Sequence, residues 1–238
     1  MHEANASASP TDRIAAAGTF KSIAINVPQY LTHLQSIIST FGGTVIRATL
    51  PITPSLSTSL AHLPPLMESH NLPSPDAVVN ATGLMAAALA HDDSIYPIRG
   101  QTVLVRGEAT SVRCRVRADG MDYVIPRPGS GTTVLGGTKE VGIYSPVPDG
   151  EVAGRILEGC RGLAPELVAD GRFVVLSTQV GLRPGRSGGP RMECETLDGW
   201  RIVHAYGHAG AGYQNSVGVA RRVVAMVGEV LGEEKAKL

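Results

Sequence analysis

Gly207, Gly210 and Gly212 fall within six residues, between a strand-like run at 201–206 and a long apolar-periodic stretch. That stretch carries Val217, Ala220, Val223, Val224, Val227 and Leu231, spaced to share one face of a helix. Strand, glycine turn and helix in succession is the rhythm of an α/β layer. The backbone N–H groups of the turn, with the positive dipole end of the helix behind them, can face an electron-rich ligand. Upstream, Gly181-Leu182-Arg183-Pro184 sets a guanidinium at a strand end between two apolar neighbours. Solvation is poor there, and a half-buried arginine takes an anionic partner.

The same rhythm opens the chain. Residues 21–26 read as a short strand, and after Pro28 the apolar positions Tyr30, Leu31, Leu34, Ile37, Ile38 and Phe41 recur with helical period. Gly42-Gly43 stop that helix where a left-handed cap sits. Residues 44–50 read as a β-branched strand, and the Pro and Ser density of 51–75 as a long surface connection. A short buried strand at 77–80 then enters a turn, followed by an alanine-rich helix at 84–90.

In the middle the pattern changes. From 101 to 137, and again from 172 to 182, apolar residues come in short β-branched runs separated by Gly, Pro and Asp-Gly turn signals, which predict an antiparallel or mixed sheet. Between them Asp149 can cap a helix over 151–163, with Pro165 beyond its end. The expected fold class is therefore α/β, a partial doubly wound layer with an inserted antiparallel or mixed sheet. Its expected parts are a tail at 1–18, the layer at 19–95, the sheet at 96–184 and the return of the layer at 185–235.

Composition limits the partners. The 238 residues carry 21 acidic and 21 basic side chains, so the formal net charge is zero. That removes the electrostatic case for nucleic acid or an anionic membrane surface. Apolar runs are too short to span a bilayer. Cys114, Cys160 and Cys194 are odd in number and widely spaced, which suits free buried thiols in a reducing compartment, and no metal site is readable.

Taken with Val79-Asn80-Ala81-Thr82-Gly83, Arg99-Gly100-Gln101 and Tyr123-Val124-Ile125-Pro126-Arg127-Pro128, the two opening motifs give a chain that resembles the D-amino-acid oxidase family from about Thr19 onward. The resemblance implies FAD as cofactor and a D-amino acid and O2 as small-molecule partners. Arg183 is then the cation that pairs two-pronged with the substrate carboxylate, Tyr123 the hydroxyl that holds the same carboxylate, and Gly210 the backbone acceptor for the amine. Leu50, Thr82, Gly83, Gly100, Gln101 and the run Ala209, Gly210, Ala211, Gly212, Tyr213, Gln214 resemble FAD contacts. The implied chemistry is hydride transfer from the substrate Cα to flavin N5, with a 2-oxo acid, ammonia and hydrogen peroxide as products.

Two departures and one ending complete the reading. After Gly136-Gly137-Thr138 stands Lys139, where members favouring neutral substrates have a tyrosine and D-aspartate oxidases tend to have a cation, so an acidic substrate stays open. Residues 142–144 also depart from the family's Gly-x-Trp. The dinucleotide fingerprint G-x-G-x-x-G is not in the chain, and the resemblance places that arm before Thr19. A catalytically dead member that does not retain FAD is the alternative this raises. Apolar faces at 77–80 and on the last helix are then expected to lie partly uncovered, with self-association, and a homodimer is open. Ala236-Lys237-Leu238 resembles the Ser-Lys-Leu address read by the peroxisomal import receptor, with the cytoplasm as the location if it is not read.

Each residue also has a plainer reading. Arg183 can be a surface cation, Tyr123 a core tyrosine, Lys139 a solvated strand-end charge and residues 80–83 a simple turn. His208 reads as a packed turn histidine, and Arg186 and Arg191 as solvated loop charges.

Overall fold

The computed structural model describes residues 14, 16–118 and 120–232. Ala236-Lys237-Leu238 and most of the 1–18 tail lie outside these residues. Helices α1 (Val27–Thr40), α2 (Leu56–Leu60) and α3 (Leu63–Ser69) come first, then strand β1 (Val78–Asn80). One 3-10 turn at Gly83–Met85 runs into α4 (Ala86–Leu89). Five strands follow, β2 (Ile95–Arg106), β3 (Arg113–Arg117), β4 (Gly120–Arg127), β5 (Thr132–Gly136) and β6 (Glu140–Val141), and then helix α5 (Gly150–Arg161). A small hairpin of β7 (Val168–Ala169) and β8 (Arg172–Phe173) leads to β9 (Val175–Arg186), β10 (Arg191–Leu197), β11 (Trp200–Tyr206) and α6 (Gly212–Leu231).

The larger sheet is built around β2. Along one edge β2 pairs antiparallel with β6 and β5, and β4 and β3 continue outward from β5. Its other edge is covered by β9 from Ile95↔Arg186 to Val105↔Val175. Side chains alternate between the two faces. Val103, Val105, Val124 and Leu135 face α5, where they bury Val152, Ile156 and Cys160. Asp149 caps α5 by accepting from the N–H groups of Glu151 and Val152, as its position before an apolar-periodic run predicts.

The smaller sheet has the order β1-β11-β10, with β1 parallel to β11 and β10 antiparallel to it. The α/β class and the inserted antiparallel sheet thus hold. In a parallel pair the carboxyl ends point the same way, so the turns after Asn80 and Tyr206 open on one edge, where α/β sheets bind ligands.

Four local expectations fail: two strands, one surface connection and the burial of all three cysteines. Residues 21–26 and 44–50 form no strand, since a strand needs a ladder and neither segment finds a partner among the described residues. The expected surface connection at 51–75 holds α2 and α3, and Leu56 and Leu60 of α2 pack with Leu89 and Ile202 in a core cluster. Ser55 makes this possible with a capping box closed by Thr58, a signal hidden among the serines. Helix α6 buries Met226, whereas Val217 (60% exposed) and Val224 (56%) face outward, so its apolar face lies partly uncovered as expected. Of the three cysteines only Cys160 is buried. Helix α1 forms and stops at Gly42 (φ +79°), yet it buries no residue and leaves Phe41 85% exposed.

Candidate active site

A cleft of about 1320 Å3 opens beside the free end of β5, where residues 137–139 leave the sheet. Tyr123, Lys139, Arg183, Ala209 and Gly210 all line it. The structure therefore brings together the four residues singled out for substrate, from β4, the segment after β5, β9 and the glycine turn.

Two glycines make this possible. A Cβ built on Gly100 would overlap the Arg183 guanidinium, and one on Gly136 would overlap the Tyr123 ring, so each side chain lies flat across a strand where no side chain stands. Arg183 donates to the Thr138 carbonyl at 3.3 Å and has no salt-bridge partner among the described residues. Burial raises the pKa of the Tyr123 hydroxyl, although the nearby Arg183 guanidinium pulls it down. At neutral pH the hydroxyl is a proton donor next to a cation. Gly210 comes against this pair, its built Cβ 3.6 Å from Arg183 Cδ.

The remaining residues read as FAD contacts divide. Ala209 (φ +50°), Gly210 and Ala211 form one 3-10 turn that enters α6 at Gly212, and no side chain caps that helix. Tyr213 and Gln214, in its first turn, are exposed. Gly83 (φ +61°) rests its built Cβ 3.7 Å from Pro184 Cγ, which ties the end of β1 to the strand carrying Arg183. Thr82 donates its hydroxyl to Asn80 Oδ1 at 2.7 Å, and Asn80 Nδ2 meets the buried His204 Nδ1 at 3.2 Å.

Three positions are reassigned. Gln101 is fully buried, and its amide is used up by the Asp149 backbone, which it meets through both Nε2 and Oε1, and by Arg99. Such a side chain is a clamp, not a cofactor ligand. Gly100 is the seat of Arg183. Leu50 turns its side chain into the α2 cluster, away from the cleft lining. Arg186 and Arg191 are not solvated either, since they pair with Asp92 and with Glu193 and Glu195.

Thr138 and Arg155 line the cleft but were not singled out from the sequence. Arg155 sits on the capped helix α5, and nothing in its local pattern distinguishes it from a solvated charge. The seats were more legible, because a glycine inside a β-branched run signals close approach.

The donor set fits a flavin on one observation. The uncapped N-terminus of the 20-residue helix α6 stands next to the cleft-lining Ala209 and Gly210, and in the same turn the buried His208 Nε2 finds no partner. Free N–H groups at a helix start suit an electron-rich ring. Among the described residues no group of His, Cys, Asp or Glu could hold a metal.

Two sheets packed with helices, and a guanidinium-floored cleft beside a glycine turn, are consistent with a partial FAD-binding fold. This chain belongs to the FAD dependent oxidoreductase family, whose model matches residues 9–226, and the motif resemblance is thereby borne out. It is 38% identical over 231 residues to a D-amino-acid oxidase of Fusarium vanettenii, covering 92% of this chain and 61% of that protein. A D-aspartate oxidase of Talaromyces thermophilus is 35% identical over 221 residues, covering 92% and 55% respectively. The chain thus spans little more than half the length of these relatives. Among solved structures, glycine oxidase from Bacillus cereus ATCC 14579 shares the fold, with a TM-score of 0.53 and 24% identity over 68% of this chain and 44% of that one.

Proposed function

We propose that the chain binds D-amino acids for FAD-dependent oxidative deamination, yielding 2-oxo acids, ammonia and hydrogen peroxide. One observation carries this reading: a half-buried guanidinium, laid over Gly100 and facing the cleft, without an anion of its own among the described residues. A substrate carboxylate supplies that anion with two parallel bonds, and Tyr123 donates a third. Gly210, against Arg183, serves as the backbone acceptor for the amine. The 209–214 turn and the start of α6 would hold FAD, which would supply a hydride acceptor that O2 can reoxidise.

The chain's own part is alignment. Among the described residues three carboxylates line the cleft and each is paired, Asp122 with Arg115 and Arg117, Glu140 with Arg99 and Glu158 with Arg161. None is free to act as a base, which suits a reaction that needs orientation of the Cα hydrogen more than proton abstraction.

Replacing Arg183 by Ala removes one partner of the pair, a loss of about 3 to 5 kcal/mol or roughly two to four powers of ten in kcat/KM on D-alanine. Peroxide release from the flavin-loaded chain measures it. Near-normal efficiency would remove Arg183 from the site, and a colourless purified chain would support the reading of a member that does not retain FAD.

A second reading, acidic substrates, has its own support. Among the described residues pairing accounts for three of the six cations lining the cleft and leaves Arg183, Lys139 and Arg155. Lys139 or Arg155 can meet a side-chain carboxylate, so Lys139→Met should depress turnover of D-aspartate more than of D-alanine. Equal effects would leave Lys139 a solvated charge. For location, Ala236-Lys237-Leu238 supports peroxisomal import. A fluorescent protein given this ending should gather in peroxisomes, and diffuse cytoplasmic signal would reject that address.

A further inference from the structure

The triplet Arg99-Gly100-Gln101 on β2 divides between the two faces of the sheet. Gly100 seats Arg183 on the cleft face, while Arg99 and Gln101 point the other way. Arg99 is 5% exposed, and apart from one bond from Nη2 to Gln101 Oε1 at 3.0 Å its donors go to the segment after β5. Nε donates to the Ser145 carbonyl at 3.0 Å, Nη2 to the Val147 carbonyl at 2.7 Å, and Nη1 pairs with Glu140. Gln101 closes the same segment at Asp149. Glu140 also accepts from the Thr138 hydroxyl at 3.1 Å, and that hydroxyl accepts from the Gln101 N–H at 2.9 Å. Residues 138 and 140 are thus fixed on either side of Lys139, whose side chain has no carboxylate partner among the described residues.

Glu140 lines the cleft and is Lys139's neighbour in sequence. Left free, its carboxylate would compete with a substrate carboxylate for Lys139. We propose that Arg99 is a positioning residue for substrate recognition: by holding Glu140 and pinning 145–147 from behind the sheet, it keeps Lys139 available to the side-chain carboxylate of an acidic D-amino acid. The inference rests on the reading of the cleft as an amino-acid site. Arg99 itself touches no substrate. Its effect is on where a cation stands and on which anion that cation meets.

Two variants of the full chain test it, Arg99→Gln and the double variant Arg99→Gln/Glu140→Gln, which leaves no unpaired charge behind the sheet. Hydrogen exchange read by mass spectrometry should speed up about tenfold over 138–149 in both, with β4 and α6 unchanged. Calorimetry should show the single variant losing about tenfold in D-aspartate affinity, because the freed Glu140 carboxylate competes for Lys139, while D-alanine changes little. The double variant should recover most of the D-aspartate affinity, because the competing carboxylate is gone. Equal loss for both amino acids, no recovery in the double variant, or faster exchange throughout the chain would overturn the proposal. A parent chain that binds neither amino acid overturns the reading of the cleft instead, and the exchange pattern then decides whether Arg99 is a clamp at all.

Discussion

At the residue scale, the arginine and tyrosine of the cleft owe their positions to side chains that are not there. Gly100 and Gly136 each free a patch of sheet for one long side chain. The overlap that a methyl group on Gly100 would create is with the far end of a flexible arginine, not with backbone, so the fold can absorb it by moving Arg183. Gly100→Ala should therefore leave the thermal midpoint within a few degrees of the parent while lowering kcat/KM on D-alanine by up to about a hundredfold, since a displacement of about 1 Å in the site can cost that much. Circular dichroism melts and peroxide assays measure the two quantities. A variant with full activity would mean that Arg183 binds substrate from some other pose. Gly100 and Arg183 were both legible as important from their motifs, but that one is the seat of the other was not, because the pairing of β2 with β9 joins residues 83 positions apart.

At the scale of elements, the β1-β11-β10 sheet is joined by buried polar groups. Asn80 on β1 and His204 on β11 face each other in register, and His204 Nε2 meets Glu195 on β10 at 2.9 Å. With Asn80 Nδ2 donating to Nδ1, the imidazole is neutral and Nε2 carries the proton. Burial lowers the pKa of His204, against the pull of Glu195, and burial also lowers that of His208 in the following turn. The unfolded chain therefore takes up protons first as pH falls below about 6.5, so stability contributed by the neutral imidazoles is complete above that pH and declines below it. A second decline follows in stronger acid. Burial raises the pKa of Asp92, but Arg186, the Ser94 N–H and Tyr206 outweigh it and hold the carboxyl at about 2, so its contribution is lost as pH falls from about 3.8 toward that value. Urea midpoints at pH 7.5 and pH 5 check the first step: the midpoint should be lower at pH 5, and a higher one would mean that His204 is held charged.

At the scale of the whole molecule, apolar surface is unevenly distributed. Phe41, Val217 and Val224, with Phe20 and Ile23 of the irregular segment before α1, are exposed, and none of them lines the cleft. Apolar area of this kind promotes association. The chain should elute from a sizing column ahead of a 24.9 kDa monomer, and replacing Val217 and Val224 by Asp should shift it back. A monodisperse monomer with both valines in place would show that this surface is tolerated in water.

Periodicity, caps and turn glycines are local, and wherever local signals decide the outcome the sequence was sufficient: α1 with its Gly42 stop, α5 behind Asp149, the β-branched runs of the larger sheet, and the strand, turn and helix that end in α6. Side-chain motifs likewise marked Arg183, Tyr123, Lys139 and Gly210 as one set. Tertiary structure alone decided three things. It decided which face of α6 is buried, since several faces carry valines and only packing against β10 and β11 selects one. Residues 21–26 and 44–50 remained irregular because a strand exists only where a partner supplies its hydrogen bonds. Arg99 and Gln101 became clamps for a segment some forty to fifty residues away, because a buried donor must find its acceptor and only the fold determines which acceptor is within reach.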